Sequence, residues 1–325
     1  MTQRASIFEG VQIGVEVTPG TAVAANKLLQ SISIQPGIKA NIKKFRPMGR
    51  KFATLAMPGK EWVEAKVTGM PTYDELPYVL ASLVKAVTPV AEGTLGKKWT
   101  FSPTSTGPDT VKTYTVEQGS SLRAHKFAYG LMTGTTFNFT RDEISLDGSM
   151  LGRALDDGIT LTATPTAIPA IPVLGNEVSV YLADTYAGLT GATAGVPMSA
   201  SWGLTERFSP FWALNAAYTS FVEPVESEPK LECKLKLPAD AAGMALLATM
   251  RTGATKFLRI EAVGAEIEAT KNYRFTIDTA VKVMSVSEFK DEDGVFAIEW
   301  TFEAVDDPTW GKATELVVVN TLASL

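Results

Sequence analysis

The chain has one cysteine and one histidine in 325 residues. Cys233 alone excludes an internal disulfide framework, and with His125 alone neither a His/Cys zinc set nor a histidine-based triad can be built. No Gly-x-x-x-x-Gly-Lys loop, Gly-x-Ser-x-Gly elbow or His-Glu-x-x-His pair occurs. A basic excess is also missing. Against 35 Asp and Glu stand 30 Lys and Arg, a formal charge of −5, which argues against tight wrapping of nucleic acid. No apolar run approaches the ~18 residues of a membrane span. Residues 1–6 lack the apolar stretch of a signal peptide, so the expectation is synthesis in the cytoplasm and no membrane step.

Composition is otherwise that of a well-packed protein, 45% hydrophobic and 20% charged, long enough for two domains. Half of the chain echoes the other half. Val63-Glu64-Ala65-Lys66-Val67 returns as Leu231-Glu232-Cys233-Lys234-Leu235, a separation of 231 − 63 = 168 residues. The same spacing carries Ser31-Ile32-Ser33-Ile34 onto Ser199-Ala200-Ser201-Trp202. Between the halves, residues 164–173 hold three prolines, which cannot continue a helix or a central strand. The domain expectation is therefore 1–163, a proline-rich linker at 164–173, and 174–325.

Within the first half, residues 7–17 read as a strand and residues 31–42 as a hairpin turning at Pro36-Gly37. Residues 45–60 read as an extended basic loop. Val63, Ala65 and Val67 alternate with charged neighbours as a half-buried strand does. Leu76, Val79, Leu80, Leu83, Val84 and Val87 fall at helical spacing after a Thr72 cap. Residues 88–112, rich in Pro, Gly and Thr, read as an insertion or long loop. Phe137/Phe139 and Ile144/Leu146 flank an Arg141-Asp142-Glu143 turn as a hairpin. The second half repeats this order with a strand at 177–182, a long loop at 208–229, a strand at 231–237 and a helix at 239–250. It ends on a hairpin in which Phe296, Ile298, Trp300 and Phe302 alternate with polar residues, and a strand at 316–320.

This order of elements, with the opening Gly14-Val15-Glu16-Val17-Thr18-Pro19-Gly20-Thr21-Ala22-Val23-Ala24-Ala25, resembles the major tail protein, or tail tube protein, of long-tailed, non-contractile bacteriophages. The resemblance implies a mainly β fold: two tandem tail-tube-like β-sandwich domains, each with one flanking α-helix, assembling into a closed inner β-barrel ring. Two such domains per chain imply a pseudo-hexameric homotrimer, or a hexamer should the second half be a decorative domain, stacked into the tail tube of a virion assembled in the host cytoplasm. Its implied partners are copies of itself, the tape-measure protein, the tail terminator and tail-tip proteins, and double-stranded DNA in non-specific passage, with weakly acidic inner walls. A structural virion protein of this kind is no enzyme, and neither cofactor nor metal is implied. Two alternatives remain: the inner tube of a contractile phage-like device, and a carbohydrate-binding β-sandwich module using Trp202, Trp212 or Trp310.

Charge marks the candidate site. Residues 39–60 carry Lys39, Lys43, Lys44, Arg46, Arg50, Lys51 and Lys60 with no acid among them, whereas residues 207–228 carry Glu223, Glu226 and Glu228 against one base. The expectation is that these loops meet between stacked rings and that their opposite sign fixes register. The bland readings of the other candidates are a structural His125, a buried Cys233, a solvated hairpin tip at Asp291-Glu292-Asp293-Gly294, and Asp156-Asp157 pointing to opposite faces of a strand.

Overall fold

Period-two alternation builds nearly the whole chain. The computed structural model describes residues 9–191 and 194–325. In the first half the elements are β1 (Gly10–Val15), β2 (Lys27–Leu29), β3 (Ile32–Phe45), β4 (Leu55–Gly69), α1 (Leu76–Leu83), β5 (Val90–Glu92), β6 (Gly96–Phe101), β7 (Tyr114–Gly119), β8 (Ala124–Thr140), β9 (Ile144–Gly152), β10 (Asp156–Ile159) and β11 (Thr166–Ala167). The second half holds β12 (Val178–Ala183), β13 (Ser199–Thr205), β14 (Phe208–Phe211), β15 (Glu223–Glu226), β16 (Lys230–Pro238), α2 (Ala241–Met244), α3 (Leu246–Thr252), β17 (Lys256–Glu268), β18 (Lys271–Val286), β19 (Lys290–Glu292), β20 (Val295–Ala304) and β21 (Thr314–Asn320). The protein is mainly β. Ile7 and Phe8 of the expected opening strand lie outside the described residues.

Strand pairing follows one path in both halves. In the first, β1 pairs with β7, β7 with β8, β8 with β9, β9 with β4 and β4 with β3, all antiparallel. In the second, β12 pairs with β17, β17 with β18, β18 with β20, β20 with β16 and β16 with β13, again all antiparallel. β8 and β18 each pass from one layer to the other, and each is bulged in its pairing with the hairpin partner, between Met132 and Gly134 and between Val283 and Ser285. The bulges sit at matching places in the ladder. The cross-strand row Pro36, Ala65, Met150, Met132 in one half corresponds to Trp202, Cys233, Phe302, Val283 in the other. A bulge inserts one unpaired residue and bends its strand, which lets a single strand serve two layers.

The register corrects the sequence alignment on one strand. Cys233 stands where Ala65 does, 233 − 65 = 168, but Trp202 stands where Pro36 does, 202 − 36 = 166, so the constant spacing of 168 misplaces the hairpin strand by two residues. Two residues are one full side-chain period, so every side chain keeps its face.

Four strands from each half form one sheet, in the order β3, β4, β9, β8, β13, β16, β20, β18, because β8 pairs directly with β13. One face of it is apolar. Trp202, Cys233, Leu235, Trp300, Phe302, Phe137 and Val67, none more than 1% exposed, pack there in a core that runs without a break through both halves. No barrel closes within one chain among the described residues; the sheet ends in two edges.

Helix α1 is buried on all sides, and its N-terminus shows two buried acids with different fates. Glu75 accepts hydrogen bonds from the Gln30 amide at 2.6 Å, the Ser31 amide at 3.1 Å, and the Ser31 and Thr72 hydroxyls. Asp74, 1% exposed, has no well-formed hydrogen bond to either carboxylate oxygen. Burial pushes its carboxyl up from 3.8 to about 6, the Thr321 backbone drawing it partly back and Glu75 adding to the rise. The folded state therefore holds a proton that the unfolded chain releases near pH 4. Stability falls as pH rises through the window from about 4 to about 6, then levels. Asp74→Asn removes that fall and is expected to raise stability at pH 7 by ~2 kcal/mol, measured as denaturation midpoints across pH 4 to 8.

Several expectations meet a different outcome. Pro36-Gly37 makes no turn: β3 runs straight through it, with Pro36 opposite Ala65, and β3 is an edge strand, where a missing N–H is tolerated. Residues 45–60 are the outer part of a hairpin rather than a loop, since Phe45 pairs with Leu55 and Ile42 with Pro58. Residues 88–112 include β5 and β6, and β6 pairs with β21, Phe101 opposite Leu316, so this segment is part of a sheet. Val87 lies beyond the end of α1, and the second half has two short helices in place of one. Residues 164–173 are docked, with β11 parallel to β2, Ile168 and Val173 buried, and the Tyr73 amide donating to the Ile171 carbonyl at 2.9 Å.

The Gly14 to Thr21 phrase has a local explanation. Glu16, 4% exposed, accepts from the Gly20 amide at 2.7 Å, the Tyr129 amide at 2.9 Å and the hydroxyls of Thr113 and Thr115 at 2.8 and 3.1 Å. Gly20 has φ of 78°, and a Cβ there would meet the Tyr129 ring at 2.5 Å. The carboxylate thus pins the turn after β1 to strands β7 and β8.

Candidate assembly surfaces

The second face of the eight-stranded sheet is polar. Alternation that buries Leu231, Cys233, Leu235 and Leu237 turns Lys230, Glu232, Lys234 and Lys236 outward, and on β8 and β13 it turns out Thr136, Asn138, Ser199 and Ser201. The charges on this face are mixed rather than acidic. Glu232 lies 3.1 Å from Lys230 and 3.5 Å from Lys234, and Lys236 lies 2.7 Å from Glu292. Partial burial would raise the Glu232 carboxyl, but its two lysines hold it below its usual range.

The seam between halves is the antiparallel pair β8 and β13, with Thr140 opposite Ser199, Phe137 opposite Trp202 and Thr135 opposite Leu204. On its apolar side the Phe137 and Trp202 rings sit 5.9 Å apart, and Phe137 meets Phe275 edge-on at 5.4 Å. Among the described residues β3 pairs only with β4, and β18 beyond Val281 pairs only with β20. These are the sheet's two free edges.

The five predicted bases lie together on the outer part of the β3–β4 hairpin. Lys43 and Lys44 are on β3, opposite Met57 and Ala56, and Arg46, Arg50 and Lys51 are in the connection at residues 46–54. All are on an arm whose apolar side chains are also solvent-exposed, Met48 fully and Phe52 at 74%. None of the five makes an ion pair among the described residues, whereas Lys39 at the arm's base lies 3.7 Å from Glu64.

The acidic stretch does not mirror this arm. Residues 207–228 fold back through the β14–β15 hairpin onto the arm's base, where Trp212 packs on Trp62 at 5.0 Å, the Lys60 ammonium donates to the Ala213 carbonyl at 2.5 Å and the Glu61 amide to the Thr219 carbonyl at 3.1 Å. Glu226 pairs with Arg207, which also reaches Asp109 at 2.6 Å and is itself 4% exposed. Burial would raise the Asp109 carboxyl, but hydrogen bonds from Thr104 and Lys85 and the Arg207 charge bring it below 3.8. Glu223 is exposed on β15, and Glu228 lines an open cavity of about 560 Å³ with Glu64 and Glu206. Sequence reading missed Arg207 as the hub of a buried cluster; a lone base among acids was the available signal.

The remaining candidates have structural surroundings. His125 Nε2 is 3.2 Å from Gln118 Oε1. Cys233 is fully buried, and burial pushes its thiol well above the ordinary range. Asp291 accepts from the Gly294 amide in the turn between β19 and β20, and among the described residues no three His, Cys, Asp or Glu side chains are grouped to hold a metal. Asp157 pairs with Arg123 and Asp156 with Lys126. Trp202 is buried, Trp212 is held by Trp62 and Phe221, and Trp310 stacks on Tyr186 at 4.7 Å. No described helix is long and apolar enough to cross a membrane. No family model and no curated protein matches the chain.

Proposed function

We propose that the chain is a tail-tube protein whose two halves are copies of one tube domain, and that three chains close into a pseudo-hexameric ring that stacks into a tube. The observation that carries this reading is the β8–β13 seam, because it joins two units of identical strand order side by side in one sheet. The matching bulges support the duplication, since a bulge at one ladder position is a device inherited with a fold rather than a chance defect. An exposed sheet edge templates further pairing, and a sheet closed through its neighbours has none. On this reading the polar face lines the channel and its paired lysines and glutamates present compensated charge, so that DNA passes without being held. The channel would first enclose a tape-measure protein, with terminator and tip proteins at the tube's ends.

The basic arm is our candidate for the contact between rings. Heterologous stacking propagates into a filament, and an arm bearing unpaired bases beside exposed Met48 and Phe52 suits an acidic, partly apolar surface on the next ring, with Glu223 and Glu228 the acids of the second stretch not taken by Arg207.

Electron microscopy of concentrated protein, with native mass spectrometry of its smallest species, tests the proposal. Stacked rings of three chains are expected. Rings of six would retain the tube but overturn the view that both halves line it, and a persistent monomer would overturn the function.

A further inference from the structure

Ile38 is an isoleucine on the core side of β3, yet it is 58% exposed, while Leu204, at the corresponding place on β13, is 2% exposed. The correspondence follows from the ladders. Trp202 opposite Cys233 matches Pro36 opposite Ala65, so two residues on, Leu204 matches Ile38. Leu204 has a strand on that side of it, with Thr135 of β8 opposite across the seam, where Ile38 has none among the described residues. The residue matching Thr135 is fixed by the shared bulge. Gly134 opposite Ser149 matches Ser285 opposite Thr301, which makes Val286 the counterpart of Thr135.

We infer that residues 285–287 on the free edge of β18 pair antiparallel with residues 37–39 of β3 in a second copy of this chain, in the register that sets Val286 opposite Ile38. The inference rests on the tube reading and names its contact between chains. Two features of the residues brought together fit the pairing. On the apolar side, exposed Ile38 and half-buried Val286 meet, giving each the cover that Leu204 already has. On the polar side, Ser287 falls opposite Gly37. The seam inside the chain has the same combination, Thr136 opposite Gly203, where a Cβ on the glycine would come 2.9 Å from the threonine hydroxyl. A hydroxyl residue facing a glycine thus recurs at the matching position of the two pairings. Beyond Ser287 the match ends, because the register against β20 moves by one residue, the Ser287 amide meeting the Glu299 carbonyl while Lys290 stands opposite Ala297.

Paired cysteines read this register directly, since native Cys233 is buried and silent. The double variant Ile38→Cys, Val286→Cys, oxidised after assembly, is expected to link chain to chain and to end in a covalent closed trimer on denaturing gels. Lys39→Cys with Val286→Cys places the thiols on opposite faces and should not link. In parallel, Ile38→Asp, at a site exposed in the monomer, should leave the melting temperature unchanged and raise the concentration needed for ring formation at least about tenfold. Rings and tubes that form but link only in a shifted register, or not at all, overturn the inference and leave the tube reading standing. Unsubstituted protein that never forms a ring overturns both.

Discussion

Reversing Lys43, Lys44, Arg50 and Lys51 to glutamate should abolish or misregister tube formation while leaving the chain folded. All four lie on the outer arm, where no ion pair among the described residues depends on them, so the melting temperature should move by no more than surface substitutions usually cause. Between rings the effect is multiplied. One exposed ion pair contributes only ~0.2–1 kcal/mol, but four reversals turn each attraction into a repulsion, and the change recurs at every chain of every ring. Such a contact must also respond to salt, because exposed charges are screened beyond about 8 Å at physiological ionic strength. Sedimentation and electron microscopy at two salt concentrations read both effects. Tubes unchanged in the variant would sink the stacking role of the arm, and single rings that no longer stack would support it.

Much of the fold was legible wherever burial alone decides which residues alternate. Val63, Ala65 and Val67, the Leu231 to Leu237 strand, the Phe137 to Leu146 hairpin and α1 all came from apolar spacing, and each is found near its expected bounds. The failures share a cause, which is that local chemistry does not reveal a strand's neighbours. Pro36-Gly37 has ideal turn composition, but it sits on an edge where proline costs no ladder bond. β6 looks like loop sequence because its partner is β21, and Phe101 and Leu316 are 316 − 101 = 215 residues apart. Phe296 was expected inside by alternation with Trp300 and is 72% exposed. For the candidate site, sequence marked the basic arm by sign but not that it projects, and it gave the acidic stretch as a loop when half of its meaning is a buried pair. The edge of β18 carried no signal that one sequence could expose, since edges are defined only by what fails to pair.

Breaking that buried pair should be costly, although a shared core and sheet also join the two halves. Arg207 follows β13, yet its guanidinium reaches Asp109 of the first half, with Glu226 on its other side and the Val84 carbonyl 3.5 Å away. The Asp109 side chain is shielded from solvent, so removing Arg207 leaves a carboxylate with Lys85 as its remaining cation, at 3.3 Å. Arg207→Met is expected to cost ~3 kcal/mol, because the stranded charge keeps its desolvation penalty after losing its partner. Arg207→Met with Asp109→Leu should recover part of that loss, since the pair's attraction and its desolvation largely offset each other. The pH dependence separates this from lost packing. A folded Asp109 held below 3.8 contributes stability that is fully present above that value and lost as pH falls through the folded one. The single variant should therefore show a shallower acid-side loss than the unsubstituted protein, read from denaturation midpoints between pH 2 and 7. An equal slope in both would mean that the arginine acts through packing alone, and that the two halves are held together by their shared sheet rather than by this charge.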